Sequence, residues 1–183
     1  MTCSGLLLAA GAGRRFGGPK ALAVVAGHPL VLTAVNALRK GGCHPIHVVT
    51  GASAVEVESL LPNDVTAVRA HDWELGMSAS LRAGMHAATG DSVLIHLVDL
   101  PDVGADVVAR IREHAAWDSV VRAAYAGVPG HPVLVGRKWW PEFTASLSGD
   151  QGAREWLRDR VAMIECADLA TGSDLDVPRD HAR

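Results

Sequence analysis

Aromatic side chains are scarce in this chain. They make up 4% of its 183 residues: five Trp, two Phe and one Tyr. A core that cannot draw on rings must be built from Ala, Val and Leu, and hydrophobic residues do reach 49% against 20% charged. That balance excludes a disordered chain and suits helices packed on a sheet. Cysteine is scarcer still. Cys3, Cys43 and Cys166 are isolated, odd in number and without a CxxC pair, so neither a disulfide framework nor a zinc site is indicated, and a reducing cytoplasm is the expected home. A surplus of positive charge is also lacking: the net charge is −3 and the pI about 6.3, which argues against a nucleic-acid binder. No apolar run reaches membrane-spanning length. The run near the N-terminus is short and is followed, not preceded, by cations, so neither a span nor a signal peptide is expected. The length suits one domain covering 1–183.

What is present is concentrated in one stretch. Leu6-Leu7-Leu8-Ala9-Ala10 reads as a buried strand, and Gly11-Ala12-Gly13-Arg14-Arg15-Phe16-Gly17-Gly18-Pro19-Lys20 as a glycine-rich loop with three cations. Gly11, Gly13, Gly17 and Gly18 can take φ > 0 and let backbone N–H groups close on an anion, for which phosphate is the natural guest. Arg14, Arg15 and Lys20 supply the charge a triphosphate needs, and Pro19 fixes φ before the lysine. A Walker A loop fits poorly, because Pro19 separates Gly18 from Lys20 and Ala21 stands where a magnesium-binding hydroxyl belongs. A dinucleotide fingerprint is nearer, but the second strand ends in His47-Val48-Val49-Thr50-Gly51 without the ribose-binding acid. Two readings remain: a nucleoside-triphosphate loop of the nucleotidyltransferase kind, or an ordinary βα turn.

In order along the chain, Leu30, Ala34, Val35 and Leu38 share one face of a helix stopped by Gly41-Gly42. Strands are expected at 46–50 and 65–69, with a short helix at 54–61 between them ended by Pro62. This alternation predicts a right-handed, mostly parallel α/β sheet. Ser78 or Ser80 opens a helix apolar at Leu81, Met85 and Ala88, where a plain serine cap is the simple reading. Ser92–Val98 is the most continuous apolar run, a central strand leading to Asp99. A carboxylate at the carboxyl edge of such a strand sits where α/β sheets bind ligands, which makes Asp99 the metal candidate. Asp102 suits a turn or cap ahead of a helix at 105–114.

Strands at 119–125 and 131–136 are joined by Ala126–Gly130, a tight ribbon with His131 at its bend, either a turn residue or a ligand to substrate. Trp139 and Trp140 start a helix that caps the sheet. Gly149–Gly152 and Arg154 stand before another helix, read as a second anion site or as a surface helix capped by Asp150. Val161–Cys166 is the last strand, and the tail carries Asp174 and Asp176.

Five separated segments, in order, resemble the MobA-like family of molybdenum-cofactor nucleotidyltransferases, and together they span nearly the whole chain. The loop from Leu8 to Lys20 resembles the family's first signature, and Gly76-Met77-Ser78-Ala79-Ser80-Leu81 matches its Gly-Met-x-x-Ser-Leu segment near the nucleotide. Leu97-Val98-Asp99-Leu100-Pro101-Asp102-Val103 resembles the second signature, whose first aspartate holds Mg²⁺. Gly130-His131-Pro132 has its counterpart, and Gly149-Asp150-Gln151-Gly152-Ala153-Arg154 resembles the cytidylyltransferase branch. Asp174-Leu175-Asp176-Val177-Pro178-Arg179-Asp180 is similar to the family's closing motif, with Val177 in place of threonine.

The resemblance implies a three-layer Rossmann-like nucleotidyltransferase fold with a mostly parallel mixed sheet. It implies Mg²⁺-dependent transfer of a nucleoside monophosphate from a triphosphate to a small phosphorylated acceptor such as molybdopterin, releasing pyrophosphate. In the resembled family the Ala-Ala-Gly form of the loop goes with cytosine, so Ala10, filling room a purine would need, implies CTP over GTP. Lys20, Arg15 and Asp99 would be catalytic. Leu8, Ala9, Ala10, Gly11, Ala12, Gly13, Arg14, Arg15, Lys20, Gly76, Met77, Ser80 and Asp99 would bind the nucleotide, and His131, Asp150, Gly152 and Arg154 the acceptor. Asp99 and Asp176 would hold the metal, with Asp174 as the substitute. No nucleic acid or membrane is expected as partner; a transient contact with a molybdoenzyme or its chaperone is. The loop and the short length also resemble family members named nicotine blue oxidoreductases, so an NAD(P)H-dependent reductase stands as the alternative, beside a non-catalytic cofactor carrier.

Overall fold

A computed structural model describes residues 1–175. The apolar run after Thr2 becomes β1 (Cys3–Leu8), buried at all six positions and paired in parallel with β4 (Ile46–Thr50) on one side and β6 (Ser92–Leu97) on the other. With β5 (Val65–Arg69), β7 (Val120–Tyr125), β8 (Val128–Gly136) and β9 (Ala162–Glu165) they form a seven-stranded sheet in the order β5-β4-β1-β6-β8-β7-β9. The pairs β4–β5 and β7–β9 are also parallel, while β8 runs against both β6 and β7. On one face α1 (Leu30–Lys40), α2 (Ala54–Leu60) and α4 (Ala105–Arg112) cover a core including Leu7, Leu38, Val48, Val57, Leu94 and Ile111. On the other, α3 (Met77–Ala87), α5 (Trp140–Ser146) and α6 (Arg154–Arg158) cover Leu6, Val49, Leu81, Ile95 and Phe143. Alternate residues of each strand serve the two layers, because side chains alternate across a strand. The result is the expected three-layer, mostly parallel mixed α/β fold.

Several local expectations are corrected. The ribbon turns at Ala126-Gly127, both at positive φ (51° and 79°), the geometry of a two-residue hairpin turn. β8 therefore begins at Val128, and His131 lies within a strand, not at a bend. No serine side chain caps α3, which starts at Met77 after Gly76. Asp102 caps no helix either; its Oδ2 accepts hydrogen bonds from Thr171 N and Oγ1 at 2.7 and 2.6 Å and so tethers the C-terminal segment. Asp150 does not cap α6, which is only five residues long and follows Ala153. A small hairpin of β2 (Val24–Val25) and β3 (His28–Pro29), unforeseen in the sequence, carries the chain from Lys20–Leu22 to α1. Among the described residues no helix is long and apolar enough to cross a membrane.

His96 is fully buried in β6, and neither ring nitrogen has a hydrogen-bond partner. Burial pushes its pKa down to about 4, against the opposing pull of Asp99. The folded state thus holds the neutral ring, and the stability tied to that preference is complete above the ordinary value of 6.5 and is lost as pH falls from there towards 4. Stability measured by urea unfolding is expected to drop over this window, with His96 contributing at most about 1.4 kcal/mol per pH unit. His96→Gln, which cannot titrate, should flatten the slope by that share.

Candidate active site

The order of strands reverses at β1 and β6, so the loops leaving their carboxyl ends diverge and open a crevice between them, the usual ligand position in such sheets. The loop after β1 is shaped by Gly13. Its φ is +57°, a Cβ there would collide with the Gly18 carbonyl, and its own carbonyl accepts hydrogen bonds from the N–H groups of Phe16, Gly17 and Gly18. Of the four loop glycines able to take φ > 0, Gly13 and Gly17 do so; Gly11 and Gly18 do not. A Cβ at Gly11 would meet nothing within 4 Å, so no packing within the fold requires glycine there. The N–H groups of Ala10 through Arg15 donate to no acceptor among the described residues, in contrast to those of Phe16–Gly18. Six successive unpaired donors are an anion cradle.

Beyond the loop, burial of Ala21 in the core pins a 3-10 turn over Lys20–Leu22. Lys20 Nζ then reaches Asp99 Oδ2 at 2.9 Å, with side-chain exposures of 18% and 23%. Asp99 follows β6 between the buried Val98 and Leu100, and its other oxygen, Oδ1, takes no hydrogen bond from the described residues. A cavity of about 520 Å³ sits over this pair. Its rim includes the N-terminus of α3, an eleven-residue helix without a side-chain cap, whose free N–H groups and dipole add positive potential. Gly76 sits at φ +107°, a backbone conformation that favours glycine, and a Cβ there would make the Asp150 carboxylate shift.

Of the nucleotide-binding candidates, Leu8, Ala10, Gly11, Ala12, Gly13, Arg14, Lys20, Gly76, Met77, Ser80 and Asp99 line this cavity. Ala9 does not; it is turned into the core at 1% exposure. Nor does Arg15, which is exposed and off the lining, so that Arg14 is the loop arginine facing the cavity. The acceptor candidates His131, Asp150, Gly152 and Arg154 line a second cavity of about 620 Å³, which adjoins the first at Leu8, Met77, Leu97 and Asp150. His131 is half-buried there, and burial, with the charges of Arg122 and His96, holds its pKa down to about 3. The backbone N–H of Leu175 donates to the Asp99 carbonyl at 2.9 Å, and Asp174 lines the second cavity. Asp176 lies outside the described residues.

Among the described residues no three His, Cys, Asp or Glu side chains cluster as a ready-made metal site. The donor set does fit magnesium, which is commonly held by one or two carboxylates and completed by phosphate oxygens and water, because Asp99 offers a hard oxygen beside a phosphate cradle. Three residues escaped sequence reasoning. Trp73 and Glu74 line the first cavity, and an aromatic in the polar run His71-Asp72-Trp73-Glu74 was their available signal. Arg122 lines the second cavity; its signal was a cation interrupting the apolar strand Val120–Tyr125.

The family profile described as MobA-like NTP transferase domain matches residues 5–165 of the chain. The nicotine blue oxidoreductase of Paenarthrobacter nicotinovorans is 38% identical over an alignment of 188 residues, covering 94% of this chain and 91% of that protein. Among solved structures, a nucleotidyl transferase from Methanothermobacter thermautotroptrophicus has a TM-score of 0.82 at 27% identity, covering 96% of this chain and 92% of its own. The Rv0371c protein of Mycobacterium tuberculosis, in complex with manganese, has a TM-score of 0.75 at 21% identity, covering 95% and 94%, a likeness of fold alone.

The two loop glycines are expected to behave differently on substitution. Gly13→Ala should cost about 1–3 kcal/mol in urea unfolding, from the left-handed backbone and the collision with Gly18. Gly11→Ala should leave stability within about 0.5 kcal/mol.

Proposed function

The chain belongs to the MobA-like NTP transferase family, and from that premise we propose that it transfers CMP from CTP to the phosphate of a molybdopterin-like acceptor, releasing pyrophosphate. The observation that carries the reading is the run of unpaired N–H groups from Ala10 to Arg15 beside the Lys20–Asp99 pair in one cavity. The loop donors, Arg14 and Lys20 hold the triphosphate. The acceptor phosphate oxygen attacks the α-phosphorus in line, the bond to the bridging oxygen of the β-phosphate breaks, and pyrophosphate departs with the electron pair. Lys20 neutralises the charge that grows on the leaving oxygens, and positioning with electrostatic neutralisation supplies the rate.

Asp99, joined by Asp176 or Asp174 in the reading by resemblance, would hold magnesium, which adds charge neutralisation at the phosphates; the manganese complex of the Rv0371c protein supports a divalent ion in a fold of this kind. His131, Asp150 and Arg154 orient the acceptor from the adjoining cavity. Ala10, on the lining, narrows the base end towards cytosine, and Trp73 offers a ring against which a base can stack. Three free, buried thiols support the cytoplasm as the compartment.

A second reading has one specific observation behind it, the 38% identity with nicotine blue oxidoreductase over 94% of the chain. In that case the cradle grips the phosphates of NAD(P)H. The absence of an acid after Thr50, at the end of β4, counts against a ribose contact of the usual dinucleotide kind.

Pyrophosphate release from CTP plus acceptor, with and without Mg²⁺, separates the two. The expected outcome is metal-dependent release that falls by about 10²–10³-fold in Lys20→Ala and in Asp99→Asn, each retaining a cooperative melting transition. A rate that survives Asp99→Asn refutes the metal assignment. Oxidation of NAD(P)H by a dye acceptor, without pyrophosphate release, replaces the first reading with the second, and binding without either turnover marks a carrier.

A further inference from the structure

The second cavity contains a pair of cations that the reaction above leaves partly unused. Arg122 projects from β7 above an apolar surface that includes Ile95, Val133 and Phe143, and Arg154 faces the same space from the start of α6. Arg122 directs both Nε and Nη2 at a single acceptor, the Gly130 carbonyl, at 3.1 and 2.9 Å. A guanidinium carries five N–H donors, so the rest of its fork has no acceptor among the described residues. Among the described residues neither arginine forms an ion pair with a carboxylate, although Asp150 and Asp174 line the same cavity. Elsewhere Arg39, Arg69 and Arg110 each grip an acid, Asp64, Glu58 and Asp168 respectively. Burial and the charge of Arg154 both disfavour the charged form of Arg122, and His131 beside them adds no compensating negative charge. Two guanidiniums facing one space over an apolar floor offer an anion charge from both sides and free N–H donors from the Arg122 fork.

That anion is not the nucleotide's phosphate chain. Arg122 pairs in register with Val133 of β8, and Val133 pairs with Ile95 of β6. At about 4.8 Å per strand this sets Arg122 some ~10 Å to the side of β6. Ile95 itself lies two residues before the end of β6 at Leu97, and Asp99 comes only in the turn beyond it. Arg122 and Arg154 line only the second cavity, while Lys20 and Arg14 line only the first.

We propose that Arg122 and Arg154 clamp an oxyanion at the far end of the acceptor, so that the acceptor is an elongated molecule with an apolar or ring-shaped middle and two anionic ends. One end, the reacting phosphate, meets the nucleotide beside Met77 and Leu97; the other lies in the guanidinium pair, with the middle on Ile95, Val133 and Phe143. The clamp is tetrahedral or planar in its demand, phosphate-like or carboxylate-like. This assignment rests on the transferase reading for what the anion belongs to, but the clamp itself can be tested without any turnover.

Binding of inorganic phosphate, molybdate and acetate is measured by thermal shift and calorimetry in the wild type, Arg122→Gln, Arg122→Lys, Arg154→Gln and Lys20→Ala. The expected result is that at least one of these anions protects the wild type and Lys20→Ala alike, and that its Kd rises at least tenfold in Arg122→Gln and Arg154→Gln. Arg122→Lys, which keeps the charge but not the fork, should fall between. Preference for phosphate or molybdate over acetate marks a tetrahedral end group, and the reverse a carboxylate. In the transferase assay, Arg122→Gln should raise the acceptor KM while the CTP KM stays unchanged. No anion binding in the wild type, equal binding in Arg122→Gln, or loss of binding in Lys20→Ala overturns the clamp. Absence of pyrophosphate release with the anion binding pattern intact overturns the transferase reading and leaves the clamp standing.

Discussion

The contact between Lys20 and Asp99 joins the two halves of the site. One partner comes from the loop after β1, the other from the end of β6, and they are 79 residues apart in the chain. A charge-assisted hydrogen bond of this kind, largely shielded from water, contributes on the order of 1–3 kcal/mol, enough to hold the glycine-rich loop over the sheet edge. Its geometry is guaranteed from beneath: Ala21 is sunk in the core and Val98 and Leu100 flank Asp99 inside the fold. The loop can therefore leave its own N–H groups unsatisfied without collapsing, because its ends are anchored by burial and not by those donors.

Charge is distributed unequally between the crevice and the rest of the surface. Outside it, arginines meet acids at short range, as Arg69 does Glu58 at 2.6 Å and Arg39 does Asp64 at 2.8 Å. Inside it, the loop donors, the α3 N-terminus, Arg14, Arg122 and Arg154 share the two cavities with Glu74, Asp99, Asp150 and Asp174. Positive potential where phosphates would lie therefore comes from the oriented loop N–H groups and the helix terminus as well as from side-chain cations that the cavities' own carboxylates partly offset. The histidines follow the same logic in reverse. His96 and His131 are held neutral by burial, which keeps them from adding charge at depths where it would be costly to solvate.

The C-terminal segment closes one side of this arrangement. Thr171 is bonded to Asp102 through both its backbone N–H and its hydroxyl, and Leu175 donates to the carbonyl of Asp99 itself. Residues distant in sequence thereby become neighbours of the β6 edge, and Ser173 and Asp174 line the second cavity. The wall of the second cavity thus depends on a strap fixed by side-chain and single backbone bonds, not by regular secondary structure.

Sequence alone determined the elements whose periodicity is local. β1, α1, β4 and β5 stand where their apolar patterns put them, and Gly13, Lys20 and Asp99 were legible because loop chemistry and strand ends leave marks at short range. What only tertiary structure decided is which side chains meet. Arg15 and Arg14 are indistinguishable in sequence, yet backbone direction in the loop turns one outward and the other to the cavity. Arg122 is in sequence only a cation within a strand; the β6-β8-β7 register carries it to the apolar floor of the cavity that Arg154 also lines. Pro129 and Gly130 suggest a bend at His131, whereas the positive φ of Ala126 and Gly127 places the turn earlier. Periodicity reports which face a residue lies on; only the packing of distant strands settles what that face encloses.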